Sequence, residues 1–276
     1  MRGILPYLVN ALLYGALAYY FWRTRWLSAN SGPAASASFN TIEHYAVLAP
    51  LALHSWLLAR DAFAQDGLHL GVGVAVSAIL WLTVLIYWLG NFFYRVDGLQ
   101  SLVLPAAAAA ALLPAIFPSL KPLPDTHLMV FKVHLLIAML AYSLFTIASL
   151  HVALMALLER RLHEGAPPLA LRGLPPLLTM ETLLFRIIWA GFILLTLTLA
   201  SGVIYSEELF GRAAKFNHKT VFGALSWIVF AFLLCGRQVY GWRGRIAVRW
   251  TLAGFLMLVL AYVGSKFVLE VILGRA

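Results

Sequence analysis

Long apolar runs, each close to the length needed to cross a bilayer, dominate this sequence and leave few folds open to it. Eight can be placed, from Gly3 to Trp22, Glu43 to Ala59, His69 to Leu89, Leu99 to Phe117, Met129 to Leu158, Leu183 to Tyr205, Thr220 to Gly236 and Trp250 to Leu273. A membrane helix needs about 20 apolar residues. No alternating apolar–polar pattern supports a barrel. The reading is an all-α polytopic membrane bundle of about eight transmembrane helices, formed as a single domain over residues 1–276. The balance of residues agrees: 62% are hydrophobic and 11% charged, against about 45–50% and about 25% in soluble chains.

The net charge of +9 therefore reads as basic loops on the cytoplasmic side rather than as a nucleic-acid surface. Odd-numbered loops hold Arg23, Arg25, Arg95, Arg160, Arg161, Arg172, Arg237, Arg243, Arg245 and Arg249. Even-numbered loops and termini hold Arg2, Arg60, Lys121, Arg212, Lys215 and Arg275. The positive-inside rule then places the odd loops in the cytoplasm and both termini on the outer, periplasmic side. Arg23 and Arg25, directly behind the first run, favour a retained anchor over a cleaved leader. A single cysteine, Cys235, excludes an internal disulfide and any CxxC motif.

With that topology five of the eight histidines fall toward the outer side: His54, His69, His127, His134 and His218. His44, His151 and His163 fall on the other. His54 in "LALHSW" and His134 in "FKVHLLIAM" lie inside apolar runs, where ionisable groups are costly and usually functional. Neutral imidazoles from different helices, without carboxylate partners, fit haem or metal ligation best. An HExxH spacing is absent, as are GxSxG, P-loop and GxGxxG motifs. Trp56, Trp81, Trp88, Phe92, Phe93, Tyr94 and Trp227 are read as outer-half aromatics, most of them an interfacial belt.

Residues 127–272 carry a resemblance. "FKVHLLIAMLAYSLFTIASLHVALMALLERRL", "LPPLLTMETLLFRIIWAGFILLTLTLASGVIY", "KFNHKTVFGALSWIVFAFLLCGRQVYGWRGRIAVRWTLAGF" and "LAYVGSKFVLEV" stand in an order and spacing similar to the cytochrome c assembly protein family. That family comprises the haem-handling membrane proteins of the CcsA and CcmC type. The likeness is greatest to its short YpjD or HemX-like branch. The resemblance implies an assembly factor rather than an enzyme, placed in a bacterial inner membrane. It implies binding of haem b and a meeting with other cytochrome c maturation proteins. His134 matches the family's outer-side ligand histidine.

The family's Trp-rich outward segment corresponds here to "FNHKTVFGALSW". Phe216, Asn217, His218, Lys219 and Phe222 stand at its Trp, Asp, Pro, Lys and second Trp, and Trp227 matches a further Trp. The expected ligand set is therefore His134 with His218 or His54 opposite. Lys219 would meet a propionate and Trp227 would pack the macrocycle. The HemX-like branch implies an alternative, a regulator of tetrapyrrole synthesis acting through a cytoplasmic enzyme, with "GRQVYGWRGR" as its contact. A transporter ranks last, since no discontinuous helix pair or inverted repeat stands out.

Overall fold

The computed structural model describes residues 3–24, 41–64, 67–94, 98–119, 122, 128–163, 176–204 and 218–268. The elements are α1 (Leu5–Trp22), α2 (Thr41–Ala46), α3 (Leu48–Ala62), a minimal antiparallel hairpin of β1 (Phe63–Ala64) and β2 (Gly67–Leu68), α4 (Val72–Gly90), α5 (Gln100–Ala111), α6 (Leu113–Ile116), α7 (Met129–His163), α8 (Leu177–Ile204), α9 (His218–Tyr240) and α10 (Arg245–Val259). The last continues through a π-helical turn, Leu260–Gly264, into Ser265–Phe267.

The expectation of eight membrane helices is corrected here. Among the described residues five helical stretches are long and apolar enough to cross a membrane: Val72–Gly90, Met129–His163, Leu177–Ile204, His218–Tyr240 and Arg245–Phe267. Three of the apolar runs fail for separate reasons. The first helix carries Asn10 and four tyrosines in 18 residues, which dilutes its apolar content. The second run contains a break at Val47, and α3 has 15 residues. At 1.5 Å per residue that is about 22 Å, short of a hydrocarbon core of about 30 Å. The fourth run divides at Leu112 into 12 and 4 residues, with prolines at Pro105 and Pro114 that each remove an amide donor.

The long helices pack antiparallel and give the bundle two distinct ends. Contacts at one end join His134 to Ser201, Gly71 to Ser119, and Lys266 to the Leu70 carbonyl. At the other end His151 meets Met180, Arg237 meets Glu181, and Arg245 meets Glu159. We call these the histidine end and the arginine end. Both α8 and α10 begin earlier than their apolar runs, since Arg245 and Arg249 extend α10 past the apolar core and can reach outward on long stems.

The centre is locked by a stacked ring pair between two glycines. Phe145 of α7 and Phe230 of α9 are fully buried, with centroids 3.9 Å apart and planes at 20°. Gly191 of α8 backs Phe145, where a Cβ would lie 3.1 Å from the ring, and Gly254 of α10 backs Phe230, where it would lie 2.8 Å away. Lipid offers apolar side chains no less favourable contact than protein does, so close van der Waals fit at small residues has to hold such helices together. Ser226 adds a cross-link, donating to the Gly254 carbonyl at 2.9 Å.

Candidate functional site

The histidine end gathers the best-positioned of the expected groups. His134 lies in the second turn of α7, against α8. Its Nδ1 is 2.8 Å from Ser201 Oγ, and the Ser201 hydroxyl lies 3.1 Å from the Thr198 carbonyl, which can only accept. A serine proton directed to Thr198 leaves its oxygen to accept from His134 Nδ1–H. That arrangement corresponds to the tautomer in which Nε2 is the basic nitrogen. Gly202 lies alongside the ring, where a Cβ would make ordinary contact, 3.5 Å from the imidazole Cε1.

Lys219 and Lys266 converge on one ring. Their ammonium groups lie 6.0 and 5.7 Å from the Tyr262 centroid, within cation–π range. Tyr262 in turn stands edge-on to Tyr142 at 6.1 Å, and Tyr142 donates to the Leu258 carbonyl at 2.8 Å. Beside these tyrosines is a cleft of about 40 Å³ between α4, α7 and the π turn, lined by Leu70, Ile79, Leu135, Met139, Tyr142 and Tyr262.

Trp227 of α9 lies further along the bundle. It stacks on Phe192 at 5.4 Å and donates to Thr196 Oγ1 at 2.9 Å. His134 and Trp227 thus dock on the same helix, α8, five residues apart, or about 7.5 Å along its axis. His218 is exposed at the first position of α9, beside Lys219.

His54 is placed elsewhere. It is 1% exposed, between α1, α3 and α4. Its Nε2 lies 2.8 Å from Ser77 Oγ, its Nδ1 lies 3.4 Å from the Tyr14 hydroxyl, and the Tyr14 ring stands edge-on to it. Both nitrogens are engaged within the core, and the structure does not bring this ring to His134. His69 is buried and donates to the Gly67 carbonyl, and His151 donates to the Met180 carbonyl. His127, Phe216 and Asn217 lie outside the described residues, as do Arg25, Arg95, Lys121, Arg172, Arg212 and Lys215.

The outer-half assignment of the aromatics is corrected for one group. Trp88 and Phe92 sit at the far end of α4, packed on His44 with centroids 4.9 and 4.4 Å from its ring. Tyr94 lies beside Arg186, 6.0 Å from its guanidinium. All of these belong to the arginine end. Burial holds the His44 imidazole below the usual histidine range.

Ser201 and Lys266 are site residues that sequence reasoning missed. Small residues at "ASG", 200–202, inside an apolar helix were the available signal.

The donor set suits a haem: an imidazole oriented by a serine, two ammonium groups and an indole docked on the same helix, α8. The enclosed volume does not, because small-molecule pockets hold about 300–1,000 Å³. A macrocycle here would have to rest at the open helix ends. Val133, Leu136, Val203, Ile204, Val221 and Leu225 are exposed there, on faces that lipid also covers. Among the described residues no group of three or more His, Cys, Asp or Glu side chains is arranged to hold a metal ion.

Residues 41–273 match the cytochrome C assembly protein family, and the chain belongs to it. It is a multi-pass protein of the inner (plasma) membrane, in a family of assembly factors rather than catalysts. It is 34% identical over 140 residues to the inner membrane protein YpjD of Escherichia coli, covering 51% of this chain and 52% of that one. It is 31% identical over 109 residues to the cytochrome c biogenesis protein CcsA of Gloeothece citriformis, covering 40% and 33%. Against CcsA of Prochlorococcus marinus the identity is 35% over 88 residues, covering 32% and 28%. The chain thus spans about half the length of YpjD and about a third or less of these CcsA proteins. No solved structure matches it.

Proposed function

We propose that this protein binds haem b at the outer face of the inner membrane and holds it for c-type cytochrome assembly, in the manner of the short YpjD-like branch. The observation that carries the reading is the His134–Ser201–Thr198 hydrogen-bond chain at the same end of the bundle as Lys219 and Lys266, in a chain of this family. The clustered arginines set the orientation. Arg160, Arg161, Arg237, Arg243, Arg245 and Arg249 all lie at the arginine end, which therefore faces the cytoplasm.

In this reading Ser201 orients the imidazole and fixes its tautomer, so that His134 presents Nε2 as the ligand atom. Lys219 and Lys266 supply charge for two propionates. Exposed His218, on the neighbouring helix, supplies a second imidazole. Trp227, already stacked on Phe192, forms part of the apolar wall. When bound, haem would supply a redox-active iron, which His134 and His218 would hold until transfer.

Titrating the purified apoprotein with haem tests this. A saturable Soret band is expected, with affinity falling about tenfold or more in Lys219→Ala/Lys266→Ala as two charge-assisted contacts are lost. No Soret band on titration, or an unchanged affinity in the variant, removes the reading.

One observation favours a second reading, a regulator of tetrapyrrole synthesis acting through a cytoplasmic enzyme. Val239 and Tyr240 are 72% and 75% exposed at the arginine end, next to exposed Arg243 and Arg245. Neutralising both arginines separates the two readings, since loss of a partner with unchanged haem content supports the regulator.

A further inference from the structure

We infer that the arginine end carries a binding site for a phosphate-bearing anion between α7 and α10, and that its position selects an acidic phospholipid headgroup as the source. A cleft of about 360 Å³ opens there, lined by Glu159, Arg160, His163, Arg245 and Arg249. Its charge is three guanidinium groups against one carboxylate. The inference is independent of the haem reading and lies at the opposite end of the bundle.

The local arrangement breaks two rules at once. Helix N-termini favour acidic residues, because the macrodipole is positive there. The first turn of α10 has none, no side chain caps it, and it begins with Arg245. Arg249 follows four residues later on the same face, and like charges at that spacing repel. Arg160 is brought to the same cleft from the last turn of α7. Such a departure from local preference at a helix start marks a candidate functional position. Glu159 relieves it in part, accepting from Arg245 Nε at 3.2 Å. His163 is exposed, its Nδ1–H donating to the Glu159 carbonyl one turn back on the same helix at 2.8 Å.

A bound phosphate oxygen cluster meets each need together. Guanidinium groups match phosphate geometry as two-pronged donors. The helix N-terminus adds amide donors aimed at the same anion. The surroundings favour a lipid over a free ion. Leu162 of α7 and Ile246 and Leu252 of α10 are exposed apolar side chains on the two helices that form the cleft, and Trp242 and Trp250 stack at 6.1 Å at the same end of the bundle, as indoles that favour a headgroup layer. Basic pockets between membrane helices on this side take up anionic headgroups.

The test uses the full chain in mild detergent with native mass spectrometry, titrating phosphatidylglycerol and, separately, phosphatidylcholine. Retention of phosphatidylglycerol should be saturable and stronger than that of phosphatidylcholine. Arg160→Gln/Arg249→Gln should weaken it about tenfold or more, at about fivefold for each basic residue. Arg23→Gln, a single charge loss outside the cleft, should leave it unchanged, against about fivefold for Arg249→Gln alone. Glu159→Gln should tighten it severalfold, a change of sign that misfolding cannot produce. Inorganic phosphate is titrated in parallel: displacement of the lipid confirms one shared site, and phosphate binding without lipid binding assigns the same site to a soluble source. Equal lipid retention by the cleft variant and by Arg23→Gln, or no saturable binding of either probe, overturns the proposal.

Discussion

His134 Nδ1 and Ser201 Oγ lie 2.8 Å apart across the interface of α7 and α8, the most extensively packed helix pair of the bundle. The contact spans 67 residues of sequence and holds a ring that would otherwise rotate about its own side-chain bonds. Groups that orient a ligating histidine contribute about 10- to 100-fold to metal affinity. Ser201→Ala should therefore weaken haem binding by that order while leaving the unfolding temperature nearly unchanged. Titration of the variant beside wild type measures both.

The engagement of His54 by Ser77 and Tyr14 separates it from that role. His54→Ala should leave the Soret spectrum intact. It should instead destabilise the fold by about 1–3 kcal/mol through a cavity and a stranded Ser77 hydroxyl. Thermal unfolding in detergent, read beside haem content, checks the split. Loss of the spectrum with retained stability would restore His54 as a ligand.

The ring pair at the centre predicts steric sensitivity. Gly254→Ala puts a methyl group 2.8 Å from the Phe230 ring carbons, closer than packed side chains allow. Overpacking of this kind costs about 1–3 kcal/mol. Gly254→Ala/Phe230→Leu should recover part of the loss, because the smaller side chain vacates the space. A double-mutant cycle on unfolding temperature gives the coupling.

At the arginine end Arg237 reaches the buried Glu181 carboxylate at 2.6 Å, with Arg243 at 3.7 Å on the same oxygen. Removing one partner of a buried pair strands the other charge. Arg237→Met should cost about 3 kcal/mol, and Arg237→Met/Glu181→Gln distinctly less. Equal losses in both variants would mean that Arg237 acts through packing on Phe185, 4.7 Å away, rather than through charge.

The apolar runs announced the all-α membrane class, and His134 was legible as a costly residue within one of them. The number of spans was not legible. Reading by residue class joins stretches that backbone geometry separates, as at Val47 and Leu112, and it counts the tyrosines of α1 as apolar. His54 and His134 look alike in sequence because both are imidazoles in apolar runs. Only the neighbouring helices decide whether a ring is enclosed by Tyr14 and Ser77 or set at a helix end by Ser201. Lys266 escaped notice for the same reason, since its meeting with Lys219 over Tyr262 depends on how α10 continues past its π turn.

The most direct test of the haem reading compares the absorption spectrum of protein purified from haem-replete cells with that of His134→Ala. The account predicts a Soret band in the wild type that is lost or strongly reduced in the variant, with the variant still folded and membrane-inserted. A wild type without a Soret band, or a His134→Ala protein with the wild-type spectrum, would contradict it.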